Sequence, residues 1–186
     1  IAPSWQKDNI IDLCLEDILN ALIDTDYTIT VRPHPQQVKH MKERFEKMKE
    51  KYANNKNIVI QTDFSSNFTV FSASLLITDW SAIAYEYAFT TKKPVVFIDT
   101  PMKVMNPEYK KIDVEPFNIW ARNEIGKVVE LKQIGQIKDV IDDTLNHTDD
   151  YNEKITKLVD EYVYNLGNSA EFGAKYIIDV IQNKIE

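Results

Sequence analysis

The sequence predicts an α/β protein built on a doubly wound parallel sheet, Rossmann-like in outline. Three observations predict it. Short β-branched or apolar runs alternate with longer amphipathic stretches through the first hundred residues, the pattern of strand–helix–strand units. Leu75-Leu76-Ile77 is apolar at every position, as suits a strand whose sheet is covered on both faces. Two polar motifs, Arg32-Pro33-His34-Pro35 and Thr78-Asp79-Trp80-Ser81, each follow a strand and precede a helix, where open α/β sheets bind ligands.

The elements follow in order. Ile10, Ile11, Leu13, Leu15, Ile18, Leu19 and Leu22 recur at helical spacing and predict a helix over 8–24. Tyr27-Thr28-Ile29-Thr30-Val31 is a short β-branched strand, ended by the two prolines that follow. The stretch 36–52 is a charged helix with Val38, Met41, Phe45 and Met48 as its apolar stripe. A strand at 57–60, a short helix at 67–72, the strand at 75–77, a helix over 81–89 and a strand at 95–98 complete the alternation. Residues 99–125, with Pro101, Pro107 and Pro116, read as an irregular loop, functional or mobile. Three helices are expected at 133–145, 151–165 and 168–184, with Gly167 separating the last two. Tyr151, Tyr162, Tyr164, Phe172 and Tyr176 fall at helical spacings and are expected to pack a core. The whole reads as one nucleotide-binding domain over 1–186, with the helices of 146–186 packing on it.

Composition narrows the function. The chain has 186 residues, 44% hydrophobic and 11% aromatic, enough for a real core. No run approaches the ~20 apolar residues that cross a bilayer. Cys14 is the single cysteine, so there is no internal disulfide and no cysteine metal cluster. A net charge of −7 argues against nucleic acid as a partner, while leaving room for one small anion held by local dipoles. No pair of His, Asp or Glu has metal-ligand spacing, and no cofactor is expected. His40 and His147 lie in charged or polar surroundings and read as surface residues.

The two motifs carry the chemistry. In the first, each proline fixes its own φ and keeps the preceding residue extended, which holds Arg32 and His34 in stiff backbone. A rigid cation and imidazole at a sheet edge suit a phosphate clamp or an acid/base group. The plainer alternative is that Pro35 starts a helix and Arg32 pairs with a carboxylate. In the second, Thr78, Asp79 and Ser81 are all good N-caps, and the first N–H groups of the new helix form an anion site. It lacks glycine and is neither a P-loop nor a dinucleotide fingerprint; read alone it is also an ordinary cap. Glu86 falls one turn on, on the face of Ala82, where a carboxylate can accept from ribose hydroxyls or simply face solvent.

Taken in order, Ala2-Pro3-Ser4-Trp5, Arg32-Pro33-His34-Pro35, Thr78-Asp79-Trp80-Ser81, Tyr85-Glu86-Tyr87-Ala88 and Lys93-Pro94-Val95-Val96-Phe97 resemble the CDP-glycerol glycerophosphotransferase family, the teichoic acid primases and polymerases of bacterial cell walls. The likeness covers residues 1–98 and continues more loosely to 145. It implies the C-terminal, donor-binding half of a two-domain GT-B fold, with additional C-terminal helices. It also implies transfer of a polyol phosphate from a CDP-alditol such as CDP-glycerol to a hydroxyl of a teichoic acid-like or capsular polymer. On that resemblance His34 contacts the diphosphate as charge stabiliser or proton donor. Arg32, Thr78, Asp79, Ser81 and Ala82 are the phosphate-binding positions, and Glu86 and Pro33 meet the ribose and nucleotide.

The chain starts at Ile1 without methionine and reads as a piece of something longer. The family's other important histidine and its lipid-linked polymer acceptor are then expected in an N-terminal domain, so this piece binds donor without turnover. The resemblance further implies a cytoplasmic protein peripheral to the inner face of the membrane. Two departures stand out. Trp80-Ser81-Ala82 replaces the family's usual Tyr-Ser-Ser, and the loop after Ile98 is unlike the common polymerase sequences, with Arg122 in it a candidate to reach the phosphate. Rival readings are a GT-B glycosyltransferase using a nucleotide sugar, or a non-catalytic nucleotide-binding or structural domain.

Overall fold

The computed structural model describes residues 1–103, 106–182 and 184. The chain forms two compact units, Ile1–Ile155 and Thr156–Glu186. Among the described residues of the first, five parallel strands appear: β1 (Ile29–Val31), β2 (Ile58–Ile60), β3 (Leu76–Thr78), β4 (Val95–Asp99) and β5 (Gly126–Glu130). β1 pairs with β2, and β3, β4 and β5 form a second ladder in that order.

The segment Ile1–Ala2 lies in the gap between the two ladders. Ile1 N donates to Thr30 O at 2.7 Å, and Arg32 N–H donates back to Ile1 O at 2.8 Å, the slanted exchange of a parallel pair. On the other side Ala2 N–H donates to Ile77 O at 2.9 Å, and the Thr78 hydroxyl donates to Ala2 O at 2.6 Å. Across the sheet the order is therefore β2, β1, Ile1–Ala2, β3, β4, β5. With the segment counted as the first lane, this is the 3-2-1-4-5-6 order of a doubly wound fold, which reverses between Ile1–Ala2 and β3. The expected fold class holds.

Both faces are covered. Val95, Val96, Phe97 and Ile98 of β4 are all buried, where a one-sided strand would alternate. Val96, Ile98, Ile77 and Val129 join a core with Ile18 and Leu22 of helix α2 (Leu15–Leu22) and Ile137 and Ile141 of α8 (Ile137–Asn146). On the opposite face Phe97 meets Arg122 of α7 (Phe117–Ile125), whose Ala121 and Ile125 are also buried. β5 starts at Gly126 opposite Val95, and a Cβ there would sit 1.7 Å from Val95 O, so only glycine allows the pairing.

Several elements differ from expectation. The first predicted helix breaks at Cys14, whose φ of −154° is not helical, into α1 (Ile10–Leu13) and α2. The second breaks at Met41 into α3 (Pro35–His40) and α4 (Lys42–Tyr52). α5 (Phe68–Ser72) falls where a short helix is expected, and α6 (Ile83–Thr91) starts later than Ser81. Residues 99–125 are not all irregular: Tyr109–Lys111 is a 3-10 turn, and Pro116 stands just before α7 as a helix start rather than a breaker. β5 lay outside the predicted elements because Gly126, Lys127 and Glu130 dilute its apolar signal. Leu131–Gln136 is a 3-10 stretch leading into α8. α9 (Thr148–Tyr162) runs through the boundary of the two units, and α10 (Ser169–Ile181) follows. Tyr151 is buried as expected, but Tyr162, Tyr164, Phe172 and Tyr176 are exposed. A unit as small as Thr156–Glu186 has too little chain to enclose its own apolar side chains.

Candidate active site

The reversal of strand order places a crevice beyond the carboxyl ends of Ile1–Ala2 and β3, with β1 beside it. The first motif enters it from β1. Pro35 begins α3, and His34 caps it: Gln36 N–H donates to His34 Nδ1 at 3.2 Å, while the Gln37 side chain accepts from His34 N–H at 3.1 Å. Because a backbone N–H can only donate, Nδ1 holds a lone pair and the proton of the neutral ring sits on Nε2. Burial pushes the His34 pKa below its usual value, which favours that neutral form. His34 thus presents one N–H donor. Among the described residues Arg32 makes no ion pair with a carboxylate, contrary to the plainer reading. Its Nη1 donates to Ser66 O at 2.8 Å and Thr69 Oγ1 at 3.3 Å, its Nη2 donates to Asn67 Oδ1 at 2.8 Å, and its guanidinium lies 5.4 Å from the Phe64 ring centre.

The second motif enters from β3. Asp79 is buried, and its two oxygens accept from Ser4 N–H at 2.8 Å and from Ile10 N–H, the start of α1, at 3.2 Å. Thr78 is fully buried on Ala2 O. Neither residue caps α6, and Ser81 does not either: Ala82 holds the cap position with no side-chain hydrogen bond. The reason is that Asp79 has turned back to tie down residues 4 and 10. The consequence is an open helix start, where the N–H groups of Ala82 and Ile83 have no acceptor among the described residues. Open N–H groups and the positive end of the helix dipole make an anion seat.

A cavity of about 380 Å³ brings the motifs together, lined by Pro3, Arg32, Pro33 and His34 on one side and by Ser81, Ile83 and Glu86 on the other. Glu86 is exposed and makes no ion pair among the described residues. Of the sequence-predicted residues, Arg32, Pro33, His34, Ser81 and Glu86 line this cavity, whereas Thr78 lies beneath it. Asp79 and Ala82 line a second cavity of about 350 Å³ that shares Ser81 and continues to Trp80, Tyr85, Phe117 and Arg122. Tyr85, Phe117 and Asn118 were not among the site residues expected from sequence; their clustering depends on α7, which the sequence did not reveal.

Arg122 does not reach into the first cavity. It is 5% exposed, stacked 3.9 Å from the Trp80 ring centre, and its Nη1 meets Asp99 at 3.0 Å. Trp80 is latched in turn by donating from Nε1 to Thr100 O at 2.8 Å. Burial raises the Cys14 thiol to about 12, so it is no nucleophile at neutral pH. No group of three metal-ligating side chains lies together among the described residues.

The sequence model of the CDP-glycerol:poly(glycerophosphate) glycerophosphotransferases matches residues 1–179. The chain belongs to that family. It is accordingly a transferase domain of the glycerophosphotransferase type, with a CDP-glycerol nucleotide donor and a polymer acceptor as the family's general substrates. No curated protein and no solved structure matches the chain. Among the described residues no helix is long and apolar enough to cross a membrane.

Proposed function

We propose that this chain is the donor-binding, C-terminal half of a GT-B glycerophosphotransferase, and that the crevice between His34 and the start of α6 seats a CDP-alditol. The observation that carries the reading is that two motifs far apart in sequence line one cavity at the switch point of the sheet. The diphosphate rests on the Ala82 and Ile83 N–H groups, with His34 Nε2–H as a further donor and Glu86 accepting from the ribose hydroxyls. Arg32, Thr78 and Asp79 serve by shaping the seat: the first braces the loop at 66–69, and the others hold residues 2, 4 and 10.

In the reaction an acceptor hydroxyl attacks the phosphorus that carries the polyol. A new P–O bond forms, the bond to the bridging oxygen breaks, and CMP departs with that electron pair. Such chemistry asks the protein chiefly for positioning and for donors that take up charge on the leaving phosphate. His34 suits this as a donor; with Nδ1 committed to Gln36 it cannot act as base through Nε2. The acceptor proposed is a teichoic acid-like or capsular polymer on a lipid carrier, reached at the inner face of the membrane. Calorimetric titration with CDP-glycerol and with a UDP-sugar tests the donor: binding of the first is expected, and tight binding of the second with no response to the first would overturn the reading.

A further inference from the structure

The second cavity differs in chemistry from the first. Its walls are aromatic: Tyr85 and Phe117 lie 5.5 Å apart between ring centres, beside Trp80 and Phe97. Its cation, Arg122, is already neutralised by Asp99 at 3.0 Å and closed over by the Trp80 indole, so a phosphate would find no unpaired charge there. The polar groups open to the cavity surface are neutral. The Ser81 hydroxyl and the Asn118 carboxamide make no hydrogen bond among the described residues, and the Asn118 carbonyl accepts from the Tyr85 hydroxyl at 3.1 Å. Arg122 Nε and Nη2 stand behind this wall as buried donors without an acceptor. Ring faces for C–H groups, with a few neutral donors and acceptors for hydroxyls, are what a polyol requires.

Position agrees with chemistry. Ser81 lines both cavities, Ala82 the aromatic one and Ile83 the one holding His34 and Glu86. A diphosphate seated on the N–H groups of Ala82 and Ile83 has one arm on each side. Glu86 is the carboxylate with uncommitted oxygens in either lining, which puts the ribose diol on its side. We infer that the aromatic cavity formed by Trp80, Tyr85, Phe117 and Asn118 is the subsite for the polyol being transferred. This rests on the donor-seat reading above. Trp80 and Phe117 supply the faces, Asn118 and Ser81 the hydroxyl contacts, and Arg122 is a positioning residue that fixes the indole.

The test is calorimetric titration of the protein with CDP and with CDP-glycerol, before and after Asn118→Ala and, separately, Phe117→Leu. Asn118 is exposed, so its substitution leaves the fold intact. The expected result is an unchanged affinity for CDP with a loss of about fivefold for CDP-glycerol, the worth of one neutral hydrogen bond. Equal weakening of both ligands would overturn the inference by placing the nucleotide in this cavity. No change in either would overturn it by leaving the cavity without a ligand. Failure of the unaltered protein to bind CDP would instead bring down the donor seat itself, and the subsite with it.

Discussion

The two strand-end motifs look alike in sequence and act differently in the structure. Each commits a charged side chain to the chain itself: Arg32 to residues 66, 67 and 69, and Asp79 to residues 4 and 10. They part at the helix that follows. In the first, His34 closes the start of α3 through Nδ1 and turns a side-chain donor outward. In the second, no side chain among the described residues closes the start of α6, and the backbone itself supplies the donors. A well-capped helix is a finished structural element, whereas an uncapped one beside a cavity is open to an anion. The missing cap, more than the polar residues around it, marks the candidate site.

The comparison can be broken or sharpened by substitution. The largest effect is expected from His34→Asn. Asparagine keeps an N-cap acceptor but lacks the Nε2 donor, so transfer from CDP-glycerol by the whole two-domain enzyme should fall by about a hundredfold. The melting temperature should stay near that of the unaltered protein, and equal losses in rate and stability would return His34 to a purely structural role. Next comes Asp79→Ala, which strands the Ser4 and Ile10 N–H groups in the interior. Urea unfolding should report a loss of about 2 kcal/mol. Ala82→Asp should move two quantities in opposite directions. A carboxylate at the open start of α6 favours the helix dipole by about 0.5 kcal/mol and repels the diphosphate, seen as a higher melting temperature with weaker CDP binding.

The smallest effect is a pH dependence. The pKa of His34 is depressed in the folded state, so the unfolded chain takes up the proton first. The stability this neutral ring contributes is present above the ordinary value of 6.5 and is lost as pH falls below it. Protonation at Nδ1 would also remove the acceptor for Gln36 N–H. Thermal melts between neutral and mildly acidic pH should show that decline, and His34→Asn should flatten it.

Much of the fold was legible because local patterns and tertiary needs agree. β3 and β4 are apolar at nearly every position and are buried on both faces, so their run of Val, Ile and Leu could hardly mean anything else. Two lanes were hidden. β5 begins with a glycine that exists to let Val95 O come close, a requirement set by its neighbour. Ile1–Ala2 is too short for periodicity, and its place is fixed by partners at Thr30, Arg32 and Ile77. The helix breaks at Cys14 and Met41 likewise carry no glycine or proline to announce them. That His34, Ser81 and Glu86 fall near one cavity was legible from their positions after strands and along a helix. The commitment of Asp79 and Thr78 to the amino-terminal segment was not, because it joins residues 69 to 76 apart. The pairing of Arg122 with Trp80 escaped because it depends on α7, which the sequence did not reveal.

The short lane between β1 and β3 has a mechanical consequence. Five residue pairs join β4 to β5, whereas among the described residues the strand-to-strand hydrogen bonds across the gap between the two ladders run through the backbone of Ile1 and Ala2, helped by the Thr78 hydroxyl. The crevice that holds the candidate site lies over this seam, with Pro3 and His34 on one bank and Ser81 on the other. On the proposed reading, a nucleotide spanning the banks acts as a clasp. Breathing of the seam and residence of the ligand become one equilibrium, so whatever loosens the stitch hastens release, and whatever occupies the crevice stiffens the sheet beneath it.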